Sequence, residues 1–375
     1  MYCKKIKVKD FRNIEEAEVE FDKGVNILVG ENAQGKTNLL EAIFYASVGK
    51  SFRAAHSAEI IRFGESRAEI DIDYNDGVRD QNIKMNIFRD KQRKVEKNHV
   101  RIDKMSEIVG SFRAVLFCPE HLSLIKDGPA LRRNYLDIAI SRLYPLYIKT
   151  LQRYNYILKQ RNTLIKNAYN DRESFDSTVE FWSEQLAHEA AVISKYRLEF
   201  IRRADKCVSK CFFDMTGEAE RTEISYIGSA HCDEDEYLDI SKTERRYTEL
   251  LSSAYDREIS AGATLWGIHK DDIDIKINGR SARLYGSQGQ QRSLALALKI
   301  AEGDICCEEF GDYPTLLLDD VLSELDATRR EYLIDKIKSK QVIMTTCEEF
   351  DGHHARKIYV SCGRYEPKEF EGSKK

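Results

Sequence analysis

Proline is scarce in this chain, 5 among 375 residues, beside 20 glycines. That leaves little room for Pro- or Gly-rich linkers. No run of about 18 uncharged apolar residues occurs, so no membrane span is expected. The opening residues, MYCKKIKVKDFRN, lack the apolar stretch of a secretory leader, and a cytoplasmic location is expected. The 9 cysteines are odd in number and none forms a CxxC pair, which reads as reduced thiols instead of a disulfide framework. Excess charge of one sign is also missing: 59 Lys and Arg stand against 63 Asp and Glu, net −4 with a pI near 6.1. Any nucleic-acid binding must come from a local patch. The length allows about two or three domains.

What is present is an α/β pattern at both ends and a helical pattern between them. Ile6–Val8 and Val25–Val29 read as strands, with a helix from Lys36 to about Val48. Ala68–Tyr74 and Ile83–Phe88 alternate at period two, around the turn residues Asn75-Asp76-Gly77. Beyond Cys118-Pro119, Leu136, Ile140, Leu143, Tyr147, Leu151, Tyr154, Leu158 and Ile165 form one apolar stripe, predicting a long helix that Pro145 could kink. A second stripe runs from Phe175 to Cys211, and joining near Asn167–Arg172 gives an antiparallel hairpin of about 35 residues each way. A projecting arm and an ordinary helical subdomain both fit. Asp272–Ile277, Thr315–Leu318 and Gln341–Thr345 then read as strands, with helices over Gln290–Glu302 and Ala327–Lys338. The expected fold is an α/β head from residues 1–120 and 262–375, with a helical lobe at 121–261.

Gly30-Glu31-Asn32-Ala33-Gln34-Gly35-Lys36-Thr37 matches GxxxxGK[ST], followed by Asn38. Such a loop turns successive N–H groups toward phosphate oxygens. The lysine meets the β- and γ-phosphates, and the hydroxyl binds Mg²⁺. An apolar strand enters and a helix leaves, as the motif requires. Leu316-Leu317-Leu318-Asp319-Asp320 is an apolar strand ending in two acids. Asp319 is expected to orient Mg²⁺ and Asp320 to polarise the attacking water. A turn or helix cap is the alternative reading of that pair. Ser287-Gln288-Gly289-Gln290, ahead of a helix, could receive an anion or simply cap the helix.

Together these motifs resemble an ABC-type ATPase head, with Ser287, Gln288, Gly289 and Gln290 in place of the Ser-Gly-Gly-Gln signature that acts across a dimer. Ser323-Glu324-Leu325-Asp326 resembles the D-loop, with Ser323 and Asp326 at its ends. Phe11-Arg12-Asn13, NILVGENAQGKTNLLEAI, Gly49–Arg53, Pro119-Glu120, Asp127-Gly128, LRRNYLD (131–137), GIHKDD (267–272) and SQGQQRSLALALKIAE narrow the likeness to the RecF family of bacterial recombination mediators, related to SMC heads. That resemblance implies weak, switch-like ATP hydrolysis with Mg²⁺, an ATP-dependent homodimer, binding to double-stranded or gapped DNA, and work with RecR, RecO and RecA. A transporter's switch histidine is replaced by Thr345-Thr346-Cys347, and a Q-loop glutamine is missing near Pro119-Glu120. An SMC-type tether and a transporter subunit are the alternatives.

Candidate DNA contacts are Lys91, Arg93 and Lys94 first, then Arg132 and Arg133, a pair that could instead support the junction of the head and the arm. Other basic runs are Lys4, Lys5, Lys7 and Lys9, and Arg153, Lys159 and Arg161 on the long helix; each could equally be a solvated face. Cys207 and Cys211, four apart, read as apolar core residues before metal ligands. His353-His354 is the one adjacent histidine pair.

Overall fold

The computed structural model describes residues 1–347 and 355–367; His353-His354 lie outside them. The chain forms two compact units, residues 1–122 with 295–375, and residues 123–294. The first is an α/β head drawn from both chain ends. The chain re-enters it at Ala295, within the helix Gln288–Phe310, instead of at 262 as expected. None of the described helices is long and apolar enough to cross a membrane.

The head unit contains two six-stranded sheets. One is antiparallel, in the order Ile14–Glu20, Tyr2–Phe11, Arg67–Asn75, Asp80–Phe88, Lys94–Lys97, Val100–Ile102. Its alternation is the period-two pattern made real: Ala68, Ile70, Ile72 and Tyr74 are buried between more exposed acids. Lys4, Lys5 and Lys7 of the strand Tyr2–Phe11 are neutralised by Asp80 and Glu18, so that basic run is not a free patch.

The other sheet runs Arg364–Pro367, Arg356–Ser361, Val25–Val29, Val342–Thr346, Thr315–Asp319, Ala114–Phe117, parallel except for the terminal hairpin. Its central strands are buried almost throughout, which is why they read as unbroken apolar runs. The register places Asp319 opposite Thr345 and Thr345 opposite Leu28, so the strand ends that carry polar residues share one edge.

The second unit is mostly helical, with a three-stranded antiparallel sheet of Arg280–Ser281, Asp272–Ile277 and Thr222–Ile227. The expected single kinked helix is two, Pro129–Leu143 and Pro145–Asn167. Proline forces the residue before it out of the helical region, and Tyr144 is extended at φ −128°, while Pro145 itself suits a first helical turn. Arg172–Met215 follows at 44 residues, capped by Asp171 accepting from the Ser174 N–H at 3.0 Å. The two arms of the hairpin are therefore unequal, about 35 and 66 Å by helix rise.

Buried charges hold this unit together. Arg161 is fully buried and donates to Glu258 (2.6 Å), Thr264 (2.9 Å) and Ser183 (3.0 Å). Arg197, 1% exposed, donates to Asp271 (2.8 Å), Asp137 (2.9 Å) and the Ile268 carbonyl (2.7 Å). Asp271 also accepts from Ser229 N–H and the Tyr226 hydroxyl. Arg132 is 5% exposed and grips Asp272 with two nitrogens at 2.6 and 2.9 Å, and it also donates to the Leu124 and Asp127 carbonyls. Arg133 donates to the Asp271 carbonyl at 2.8 Å. This favours a structural role for Arg132 over a DNA contact: its guanidinium is buried and each of its nitrogens is bonded inside the fold, and Arg133 is partly engaged beside it. The expectation that Arg161 belongs to an exposed basic row fails for the same reason.

Candidate nucleotide site

Gly30–Thr37 joins Val25–Val29 to the helix Lys36–Val48 at the polar edge of the parallel sheet. Glycine is required twice. A Cβ on Gly30 would lie 2.3 Å from the Val360 carbonyl oxygen, and Gly35 sits at φ +114°, a conformation closed to most side chains. The helix N-terminus at Lys36 has no side-chain cap, so its free N–H groups and dipole favour an anion.

Lys36 is buried in the concavity of this loop. Its ammonium donates to the Gly30 and Glu31 carbonyls and lies 3.4 Å from the Cys347 sulfur. The Cys347 thiol donates in turn to Asn32 Oδ1 at 3.0 Å. Asn38 binds Asn13 at 2.6 Å and accepts from Arg53, and Asn13 reaches the Ala33 carbonyl at 3.3 Å. Gln34 and Gly35 contact the terminal hairpin.

Thr37 donates its hydroxyl to Asp319 Oδ1 at 2.8 Å, and Thr345 does the same at 2.8 Å. Asp319 is 6% exposed and has no cation partner within ion-pair distance among the described residues. Burial raises its pKa above the usual carboxylate value, opposed by the two hydroxyls and the field of Arg53. A buried carboxylate touching the loop's hydroxyl suits a cation. Among the described residues no group of three or more His, Cys, Asp and Glu side chains gathers. Mg²⁺ needs few protein ligands because it keeps water and phosphate oxygens, so the Thr37 and Asp319 oxygens fit it.

Asp320 comes next at φ +50°, in the left-handed region, and its N–H donates to Thr345 Oγ1 at 2.9 Å. The sheet edge thus brings together Lys36, Thr37, Asp319 and Asp320. Ser323 donates to the Asp320 carbonyl at 2.8 Å, and Asp326 caps the helix Ala327–Ile337 through the Arg329 N–H. Ser287 through Gln290 belong to the other unit. Ser287 Oγ accepts from the Gln290 N–H at 3.2 Å, the Gln290 side chain accepts from the Ser287 N–H at 2.7 Å, and Gln290 also donates to Glu220. That reciprocal pair is a capping box. Among the described residues the Ser287 hydroxyl acts only as an acceptor.

Several contributors carried no role in the sequence reading. Glu41 is fully buried on the loop's own helix and is held by Arg12 (2.8 and 3.0 Å), Arg53 and Ser51. Burial alone would raise its carboxyl, but these donors outweigh it and hold the pKa below the ordinary value. The signal was available, since Arg12 and Arg53 stand in the blocks Phe11–Asn13 and Gly49–Arg53. Thr345 was read as the end of a strand and as part of the segment replacing a switch histidine, without a role of its own. Arg93 donates to Tyr45 at 3.0 Å and to the Gly49 carbonyl, closing the C-terminal end of the Lys36–Val48 helix, so part of its charge is committed internally. Lys91 sits 4.4 Å over the Phe88 ring, and Lys94 is exposed on its strand.

Residues 2–361 match the family described as RecF/RecN/SMC N terminal domain. Relatives called DNA replication and repair protein RecF include those of Bacillus pumilus and Bacillus subtilis. Each is 38% identical, over 354 and 355 residues, covering 94% of both chains. A solved structure of the recombination mediator protein RecF-ATP in the RecFOR pathway superposes with a TM-score of 0.91 at 34% identity, covering 98% of each chain. An Smc head bound to the C-winged helix domain of ScpA, at 17% identity and TM-score 0.56, shares the fold.

Proposed function

The chain belongs to the RecF family, and from that premise we propose that it is an ATP-dependent, DNA-binding recombination mediator. The observation that carries the ATP reading is the buried Asp319 carboxylate, bonded to Thr37 at the start of the phosphate-loop helix. Lys36 supplies a fixed positive charge to the β- and γ-phosphates. The loop N–H groups and the helix dipole hold the remaining oxygens. Thr37 and Asp319 would hold Mg²⁺, which would supply neutralisation of phosphate charge during hydrolysis. Asp320, one residue further along the edge, accepts the proton of the attacking water.

One head surrounds the triphosphate on one side only. Ser287 and the N–H groups near Gly289, from a second copy, supply the missing donors for the γ-phosphate. ATP then favours a two-fold dimer by linkage, since the contact exists only with the triphosphate in place. Hydrolysis removes it, which makes turnover a slow release step and the protein a weak ATPase. The dimer binds double-stranded or gapped DNA through its backbone, with Lys91 and Lys94 as first contacts, Arg93 contributing its exposed part and Arg133 whatever its bond to Asp271 leaves free. With RecR and RecO it assists RecA loading.

Sedimentation tests this directly. The parental protein should shift from monomer to dimer with Mg-ATP and remain monomeric with ADP. Lys36→Ala should lose ATP affinity by about one to two orders of magnitude, the scale of a charged hydrogen bond. Ser287→Arg should bind ATP and stay monomeric. A dimer indifferent to nucleotide would remove the clamp mechanism.

A further inference from the structure

A phosphate loop binds anions only if its N–H groups point inward, so its carbonyls must point outward and find partners there. For the Gln34 and Gly35 carbonyls, partners come from the other end of the sequence. In the hairpin Arg356–Ser361/Arg364–Pro367, the first strand pairs in parallel with the strand Val25–Val29 that enters the loop. Its turn, Cys362-Gly363, has φ of +49° and +75°, the sign pattern of a tight two-residue hairpin connection. The Gly363 N–H donates to the Gln34 carbonyl at 2.9 Å, and the Cys362 N–H donates to Gln34 Oε1 at 2.7 Å. The Tyr365 hydroxyl donates to the Gly35 carbonyl at 2.9 Å, beside the Leu39 N–H of the following helix, which reaches the same oxygen at 3.1 Å. The ring of Tyr365 is largely withdrawn from water, and burial raises its pKa, which keeps it a neutral donor.

We propose that this hairpin, through Tyr365 and the turn N–H groups, fixes the orientation of the Gln34 and Gly35 peptides and so presets the anion-binding face of the loop. The inference rests on the assignment of Gly30–Thr37 to ATP. Glycine at φ +114° gives the loop freedom to flip a peptide, and a flipped peptide would aim a carbonyl at the phosphates. The two hairpin bonds to the Gln34 and Gly35 carbonyls oppose that flip, and the Cys362 N–H holds the Gln34 side chain beside them. Tyr365 is a positioning residue: its hydroxyl is spent on Gly35 and acts on nucleotide through the loop.

The test is nucleotide titration of the full chain carrying Tyr365→Phe, which keeps the ring and deletes one hydroxyl. ATP and ADP Kd should both rise about fivefold, the factor one net hydrogen bond commands. Turnover at saturating ATP should stay within twofold, and the melting temperature without nucleotide should hold. Gln34→Ala, which removes the acceptor of the Cys362 N–H, should weaken ATP similarly. The double variant should lose less than the product of the two, because both act on the same segment. Parental Kd in Tyr365→Phe, with Lys36→Ala still losing ATP, overturns the positioning role and leaves the ATP site standing. If Lys36→Ala binds normally too, the ATP assignment itself is wrong. An affinity loss in Tyr365→Phe matched by a fall in melting temperature or in saturated turnover also overturns it, as a purely structural contact would. Should Tyr365→Phe fail to fold, Tyr365→Leu, which also lacks the hydroxyl, decides on the same criteria.

Discussion

The arginines buried in residues 123–294 and the Asp319 carboxylate buried in the head are treated in opposite ways. In residues 123–294, Arg161 and Arg197 lie out of water and meet carboxylates as well as neutral acceptors that use their remaining donors. In the head, Asp319 is nearly as buried yet among the described residues it meets two hydroxyls and no cation. The first arrangement is closed and has nothing left to bind. The second keeps one charge uncompensated at a sheet edge, where a cation and an anion can both enter. A closed buried ionic group therefore marks structure, as Arg161 and Arg197 do and as Glu41 does within the head, and the open one at Asp319 marks chemistry. What separates them is whether the desolvation cost is offset within the chain.

The largest test of that contrast breaks a closed pair. Glu258→Ala leaves the Arg161 guanidinium buried without its carboxylate, and Leu265 N–H loses its acceptor as well. The expected loss of unfolding free energy is about 3–5 kcal/mol, read from denaturant melts. Replacing both, as Arg161→Met with Glu258→Leu, should recover much of it, since no lone charge remains. A single variant as stable as the parent would mean the pair is not closed in solution.

A second test uses pH and His269. Its Nε2–H donates to the Thr264 carbonyl at 3.1 Å, and Nδ1 accepts from the Tyr154 hydroxyl at 2.7 Å, so the neutral ring satisfies both. Burial pushes its pKa down to about 4, from an ordinary 6.5. Between those values the unfolded chain takes up a proton that the folded chain refuses. The stabilising contribution is therefore complete above pH 6.5 and lost as pH falls toward 4, up to about 3 kcal/mol in all. His269→Gln should flatten that part of the pH–stability curve. An unchanged slope there would place the loss in other groups.

The open site should respond with the opposite sign. Asp319→Asn removes an uncompensated buried charge, so nucleotide-free stability should stay within about 1 kcal/mol of the parent, or rise. Mg²⁺-dependent hydrolysis should nevertheless fall below detection. A stability loss on the scale of Glu258→Ala would show that Asp319 is as closed as the charges of the second unit, and the contrast would collapse.

The same contrast explains what could be read from the sequence. The phosphate loop, the LLLDD strand and the parallel sheet were legible because each is a local pattern whose residues stand in order along the chain. The closed network was not. Arg132 meets Asp272 across 140 positions and Arg161 meets Glu258 across 97, and periodicity cannot tell a cation that points inward from one that points out. Counting both as surface charge was the natural error. The terminal hairpin escaped notice because its short strands carry little apolar signal, and its value lies in contacts with Gln34 and Gly35 more than 320 positions away. Pro145 was read as a kink, whereas it opens a new helix because Tyr144 leaves the helical region.

The smallest expected effects belong to charges that are neither closed nor buried. Lys91 and Lys94 are exposed, and neither has an ion pair among the described residues. Replacing either with alanine should leave the melting temperature unchanged. If they neutralise DNA phosphates, each variant should weaken duplex and gapped DNA about equally across sequences. Each should also lower the slope of log affinity against log salt by about 1, because one fewer counterion is released. Arg132→Ala is the control, and the contrast predicts the reverse of it: a clear stability loss from stranding Asp272. Its salt slope, measured where the variant remains folded, should equal that of the parent. Should Arg132→Ala lower the slope at parental stability, the buried guanidinium would have to leave Asp272 to meet DNA, and the division between closed and open charge would not describe the DNA-bound protein.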